Sequence, residues 1–411
     1  MCASSSDERH FPNSFPPFSN ETAKDFFDLS SLSSASTSAV RLSNGFHDRL
    51  VEAFDELFAQ WEREIGAQRT DDTSVYTGVG GYAVLYHRAF KVLQKPEFLD
   101  KARKIVDSIS VGRLQHKDRL TFLCGDGGTV ALKAVISHIQ KDDRQRDKWI
   151  ATLLDCKDSV VQSRSLPDEL LYGRAGYLFC LQFVRTHCGA SSSIDAAIED
   201  VKNRIIESGE SANGSFPLSY AWHDKEYLGA AHGWAGILFQ LMRTPNFDKD
   251  AKSKELVKAT LDGLLKLAFR SGNFPSSIGN ESDRLGHWCH GAPGFIHTLL
   301  QAHKTFGDER YLRAAKRCAD VIWDRGLLKK GYGLCHGVAG NAYALVSVWK
   351  ATGEVAYLYQ AFQFAQWMFD YGNHGCPRPD RPLSLFEGLA GTLHFLLDLR
   401  TPENAEFPCF Y

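Results

Sequence analysis

Apolar positions along the chain follow two rhythms. In one kind of segment they recur at i, i+3 or i+4, and i+7. Residues 97–111 place Phe98, Ala102, Ile105 and Ile109 on one stripe, with Lys101, Arg103, Lys104 and Asp107 elsewhere. Residues 310–324 do the same with Tyr311, Ala315, Ala319 and Ile322. That spacing predicts amphipathic helices. The other kind of segment is apolar on nearly every side, as in 341–349 and 392–399. These predict helices packed on both faces. No run sustains period-2 alternation, so strands are not expected.

The fully apolar segments share an introduction. A Gly-x-x-Gly stands before each, at Gly78, Gly125, Gly173, Gly233, Gly291, Gly337 and Gly388. Successive first glycines are separated by 47, 48, 60, 58, 46 and 51 residues. One such motif carries little information, but seven at similar spacing indicate an internal repeat. Each repeat then supplies one amphipathic and one apolar helix. The simplest closed solution is an all-α, single-domain (α/α) toroid with seven inner and seven outer helices, since an open solenoid would need polar end caps. Small residues at the inner-helix starts would let those helices crowd, and glycine would tolerate positive φ in the entering loop.

The repeats occupy 42–411, with an amphipathic helix from about Leu42 to Ile65 beginning the first. Residues 1–41 fall outside the pattern. They are expected to form a flexible N-terminal tail, whose phenylalanines 11, 15 and 18 offer a way to dock onto the body.

Composition narrows the function. The net charge is −2 and no basic patch dominates, which argues against a nucleic-acid partner. Ten cysteines without framework spacing do not make a disulfide scaffold, and the polar start of the chain is no secretory signal. The thiols are therefore read as reduced and the compartment as cytoplasmic or nuclear. Apolar windows are broken within about ten residues, so no transmembrane segment is expected.

Candidate chemistry lies in the position just before each first glycine. It reads Thr77, Cys124, Tyr172, His232, His290, His336 and Glu387. Equivalent positions of a ring lie at one height, so these side chains should converge at one mouth, at inner-helix N-termini that favour anions such as thiolates. In the fifth and sixth repeats Cys289 and Cys335 precede the histidines. Phe216-Pro217 precedes His232, and Phe274-Pro275 precedes His290, at the same offset of 16 residues, so the repeats around the candidate site keep register. Two Cys-His pairs offer four soft or borderline donors. A catalytic zinc site commonly uses three protein ligands and keeps one position open. A single buried cysteine or capping histidine is more often structural, but the paired constellation favours a metal. Glu387 reads equally well as a functional carboxylate or a helix cap. Tyr172 and Arg174 either contact substrate or fill the pore.

The blocks 232–236 (HGWAG), 287–294 (HWCHGAPG) and 333–340 (GLCHGVAG) resemble the signatures of lanthionine synthetase C-like proteins. Residues 172–176 (YGRAG) and 385–391 (LFEGLAG) are similar to the eukaryotic branch, with a plant source expected. The similarity spans roughly 42–400. The resemblance implies the same toroid, Zn²⁺ held by Cys289, Cys335 and His336, and His290 in a non-ligand position taken by tyrosine in bacterial cyclases. It implies His232 as the acid/base, supported by Asp168 or Glu169, the alignment being ambiguous by one residue. In eukaryotic members Lys330 matches a substrate-contacting lysine and Arg284 a basic residue near the metal. Such members suggest glutathione as co-substrate and phosphorylated or dehydrated peptides or proteins as partners, giving a thioether.

With that set, the catalytic candidates are His232, Arg284, Lys330, His290 and Asp168, and Lys330, Arg284, Glu387 and Arg174 are candidates for binding glutathione. The alternative is a non-catalytic glutathione-binding module with a signalling-protein partner, peripherally associated with a membrane.

Overall fold

The computed structural model describes residues 9–33, 40–111, 120–211 and 214–411. Sixteen α-helices appear among them, and pairing of extended backbone is limited to isolated bridges. After the one-turn α1 (Asn20–Ala23) come α2 (Asn44–Ala67), α3 (Val79–Leu93), α4 (Pro96–Ser108), α5 (Asp126–Ile139), α6 (Asp143–Leu154), the short α7 (Lys157–Gln162), α8 (Arg174–Cys188) and α9 (Ser192–Ser211). The remainder are α10 (Trp234–Met242), α11 (Ala251–Leu265), α12 (Ala292–Phe306), α13 (Glu309–Arg325), α14 (Val338–Thr352), α15 (Val355–Phe369) and α16 (Leu389–Asp398).

Helices α3, α5, α8, α10, α12, α14 and α16 form the inner ring. Each packs against the next, and α16 packs against α3, so the ring closes. This is the (α/α) toroid expected from the repeats. The inner helices bury nearly every residue in their first three turns, as their all-round apolarity requires. The outer helices bury one stripe, as α13 does with Tyr311, Ala315, Cys318, Ala319 and Ile322. Aspartates at 142, 250 and 308 cap three of them through their side chains. Helix α2 packs on α16 and sets Trp61 and Phe58 edge-to-face against Tyr82 and Tyr86 of α3. It therefore covers the seam where the two ends of the ring meet, rather than beginning the first repeat in sequence order.

The inner helices start differently. None has a side-chain cap on its N-cap glycine. In five repeats the first helical N–H donates to the carbonyl seven residues earlier, from Val79, Arg174, Trp234, Val338 and Leu389. In the fifth, Ala292 N–H uses the side-chain oxygen of Asn273 instead. The entry loop thus folds back beneath the helix, and the second glycine of the motif leaves room for it. A Cβ at Gly128, Gly236, Gly294 or Gly340 would stand 1.9–2.1 Å from the carbonyl oxygen six residues before it. Close backbone approach, not positive φ, explains these glycines, and among the first glycines only Gly291 has φ in the left-handed half (+118°). The same bonds correct the expectation of open helix N-termini, because loop carbonyls already occupy those donors.

Neighbouring entry loops are also tied together. Backbone bonds run from Tyr76 to Leu123, Phe122 to Gly176, Leu170 to Ala231, Leu228 to Ser276, Cys289 to Cys335, Cys335 to Phe386, and Phe386 to Tyr76. They make a closed circuit around one mouth of the toroid and fix the height of each repeat's signature.

The N-terminal segment departs from a flexible tail over 9–33. Phe26, Phe27 and Ala23 are buried, Phe11 packs at a tilt against Trp367, Phe15 stacks on Trp323, and Phe11 N–H donates to Leu327 O. Aromatic burial pays for ordering this stretch. Residues 1–8 and 34–39 lie outside the described residues. No helix among the described residues is long and apolar enough to cross a membrane.

Candidate metal centre and proton-transfer pair

The loop circuit brings the two cysteine-bearing repeats side by side. Cys289 N–H donates to Cys335 O at 3.3 Å, and Cys335 N–H donates to Phe386 O at 2.8 Å. The ligand atoms of Cys289, Cys335 and His336 consequently lie within 4.8 Å of one another. Both cysteines are buried and His336 is half-buried. Zn–S bonds near 2.3 Å and Zn–N bonds near 2.0 Å place tetrahedral ligands about 3.5–3.8 Å apart, so this spacing and this donor set fit a zinc ion. Three ligands leave a fourth position for a guest. Burial and the neighbouring Cys289 sulfur push the Cys335 thiol up, while His336 pulls the other way.

Tyr76 closes one side of the cluster. Its ring stacks on Phe386 at 4.7 Å, and its phenol is pushed well above its ordinary value, chiefly by burial and then by the Cys335 and Cys289 sulfurs, with Glu387 adding to it. Tyr76 sits two residues before its repeat's first glycine, as Cys289 and Cys335 do. Reading that second column around the whole ring, rather than only beside histidines, is the signal that finds it.

Further round the mouth, His232 Nδ1 meets Glu169 Oε2 at 2.8 Å. Glu169 is buried and also accepts the backbone N–H groups of Leu171 and Tyr172. Three donors hold that carboxylate, and it in turn orients the imidazole. Trp222 stacks on the imidazole at 4.0 Å and nearly parallel. Backbone bonds in both directions between Trp222 and Lys225 close a tight turn whose central residues, His223 and Asp224, both have positive φ. Such a turn normally uses Asn and Gly. Trp222 lies outside the glycine columns, and nothing in the sequence singled it out. The two arcs of the mouth are neighbours. Tyr227 lies 6.2 Å from the His232 ring and 5.7 Å from the His290 ring, and the Cys124 thiol, raised mainly by burial, feels both Glu169 and Cys335.

A family model, lanthionine synthetase C-like protein, matches residues 69–411. A zebrafish (Danio rerio) relative, glutathione S-transferase LANCL1, is 40% identical over 98% of this chain and 99% of its own. The chain belongs to the lanthionine synthetase C-like family. A second relative of this LanC-like protein, the LanC-like protein GCL1 of Arabidopsis thaliana, is 34% identical over 82% of the chain and 81% of its own length. The higher identity to the fish protein gives the expected plant source no support. Among solved structures, nisin cyclase superposes with a TM-score of 0.68, covering 85% of this chain and 94% of its own at 15% identity, which shows the shared fold.

The remaining candidate residues separate by location. Of the two adjacent carboxylates left open by the alignment, Glu169 is the one that meets His232. Asp168 points the other way, accepting from Arg174 Nη1 at 2.7 Å and from Ser208 Oγ at 2.6 Å. Arg174 is 1% exposed and spends its guanidinium on Asp168 and the carbonyls of Val160, Leu166 and Ser163. This pair ties α8 to its entry loop, α7 and α9, so it corrects the expectation that Asp168 is catalytic and Arg174 binds a ligand. The chain bends at Glu169 and turns back through Gly173, whose N–H donates to Glu169 O at 3.1 Å, so the two adjacent carboxylates face different partners. His290 lies at the mouth with a buried Nδ1 that has no partner, its imidazole pushed down to about 4, mostly by burial and then by His232. Lys330 is exposed and acts on the His287 and His290 rings. Arg284 is exposed in the loop before α12, and Glu387 is half-buried beside Tyr76.

Proposed function

We propose that this LanC-like protein joins the thiol of glutathione to a dehydroamino acid formed from a phosphorylated serine or threonine of a peptide or protein, making a thioether. The observation that carries this reading is the three-donor cluster of Cys289, Cys335 and His336 standing beside the Glu169–His232 pair. A transferase named for glutathione, 40% identical along the whole chain, supports the choice of thiol. When bound, a zinc ion on that cluster would lower the pKa of a guest thiol.

The chain's own groups handle the protons. Glu169 holds the Nδ1 proton of His232, which leaves Nε2 to act as base. Nε2 takes the α-proton of a phosphoserine as the Cβ–O bond breaks, giving dehydroalanine and phosphate. The glutathione sulfur then forms the Cβ–S bond, and Nε2 returns a proton to Cα. The balance is phosphoserine plus glutathione to thioether plus phosphate. Lys330 and Arg284 supply positive charge for the leaving phosphate or the glutathione carboxylates. Glu387 offers a negative charge for the glutathione ammonium. Reduced, unpaired thiols suit this chemistry to the cytoplasm or nucleus.

The test is mass spectrometry of a phosphoserine peptide, and separately of a dehydroalanine peptide, incubated with glutathione and the zinc-loaded protein. Glutathione adducts on both are expected. Bound metal without adducts on either would leave a glutathione-binding protein and overturn the catalytic reading.

A further inference from the structure

A second cleft lies far from the mouth, between the C-terminal ends of α10, α12 and α14 and the segment 402–411. Phe239, Leu300, Phe407 and Phe410 make its apolar wall. Arg243, Lys304 and Lys350 make its charged wall, and no Asp or Glu lines it. Lys350 is partly spent, donating to Ala405 O at 2.7 Å with Glu406 and Asp398 behind it. Arg243 is not. Among the described residues its guanidinium makes no hydrogen bond or ion pair, and the one titratable group that acts on it is the Tyr411 phenol, which burial keeps neutral. Leaving a half-buried guanidinium unpaired costs free energy that an anionic guest would recover.

His297 adds a second, independent requirement. It is 4% exposed, lines the cleft between the rings of Phe407 and Phe410, and its Nε2 is buried without a partner. Its Nδ1 faces Ser347 Oγ at 3.4 Å, and that hydroxyl already donates to Tyr343 O. Nδ1 therefore carries the hydrogen, and Nε2 presents a lone pair that needs a donor. Burial keeps the ring neutral, with its pKa down to about 3.

The site thus asks for a group that is anionic and also donates a hydrogen bond. A carboxylate meets the first condition only. A phosphate monoester that keeps one proton meets both, with its charged oxygens toward Arg243 and Lys304 and its P–OH toward His297 Nε2. We propose that this cleft binds a phosphate monoester carried on an apolar or aromatic body. Nothing in the thioether chemistry of the mouth requires it, and the two stand or fall separately.

The probe is phenyl phosphate, titrated calorimetrically into the full-length, zinc-loaded protein at pH 6, where about half of a monoester keeps its last proton. Saturable one-to-one binding is expected. Methyl phenyl phosphate keeps the charge but lacks the P–OH, and should bind at least about tenfold more weakly, as should phenyl phosphate to Arg243→Gln. Phenyl phosphate seated at the mouth instead would lose binding in Lys330→Ala or Arg284→Ala and keep it in Arg243→Gln. No saturable binding, or binding lost in Lys330→Ala and kept in Arg243→Gln, would overturn the proposal. If Arg243→Gln fails to fold, the exposed Lys304→Gln takes its place and should weaken binding about threefold.

Discussion

Histidines gather at two levels of this toroid, and the two levels behave differently. At the mouth, His232, His290 and His336 come from equivalent positions of adjacent repeats and are only partly buried. Deeper, toward the C-terminal ends of the inner helices, His87, His187, His297 and His394 are enclosed by aromatic rings and by the segment 402–411. The mouth imidazoles face thiols, carboxylates and open space. The deep ones sit beside a buried ion network, in which Arg88 Nε meets Asp398 at 2.5 Å and Nη1 meets Glu406 at 2.6 Å, while Tyr343 donates to Asp398 at 2.8 Å. The same residue type meets solvent and donor groups at one level and packs into the protein interior at the other. What separates them is burial, since His87, His297 and His394 are buried while the mouth imidazoles are half-buried.

The contrast can be broken in stages. Removing a thiol at the mouth should have the largest effect. Cys335→Ala should lose bound zinc and all glutathione adducts, read by metal analysis and peptide mass, while its helical circular dichroism stays. His232→Asn should lower the adduct rate on a dehydroalanine peptide by about 10²–10⁴-fold with zinc content unchanged, the range expected for a proton-transfer group. A fall in both would erase the distinction between the metal arc and the proton-transfer arc.

Deep substitutions should show the opposite pattern. Asp398→Asn leaves Arg88 with a weakened partner in a buried site, and should cost about 3–5 kcal/mol in denaturant unfolding without changing the adduct rate of the folded fraction. Acid should find the same weak point. Burial lowers His87 and His394 to about 3 and His187 to about 4. The unfolded chain then binds more protons than the folded one below about pH 6.5, so stability is full above that value and falls as pH drops toward 4. Urea midpoints at pH 7.5 and pH 5 should show the loss, and His187→Gln should reduce it. The smallest effect is expected from Lys330→Ala, an exposed lysine, which should raise the glutathione KM several-fold and leave kcat nearly unchanged.

Much of this was legible in the sequence because the ring repeats it. Seven glycine pairs at similar spacing gave the seven inner helices, and the column before each first glycine gave the mouth. Cys289, Cys335 and His336 come together because two neighbouring repeats carry the same signature at the same height. What stayed hidden depends on direction rather than spacing. Asp168 and Glu169 are adjacent and chemically alike, and only the fold shows one turned to Arg174 and the other to His232. Trp222 reaches His232 from a turn outside the repeat pattern. Phenylalanines 26 and 27 fall outside the repeat pattern, and only the groove that buries them gives them a place.

The proposed reaction depends on three donors holding one ion with a position left for a guest thiol. X-ray absorption at the zinc edge, on the protein with and without glutathione, tests this most directly. Two sulfurs and one nitrogen from the chain, with a third sulfur appearing when glutathione is added, is the expected result. Four protein ligands that do not change on adding glutathione would contradict it.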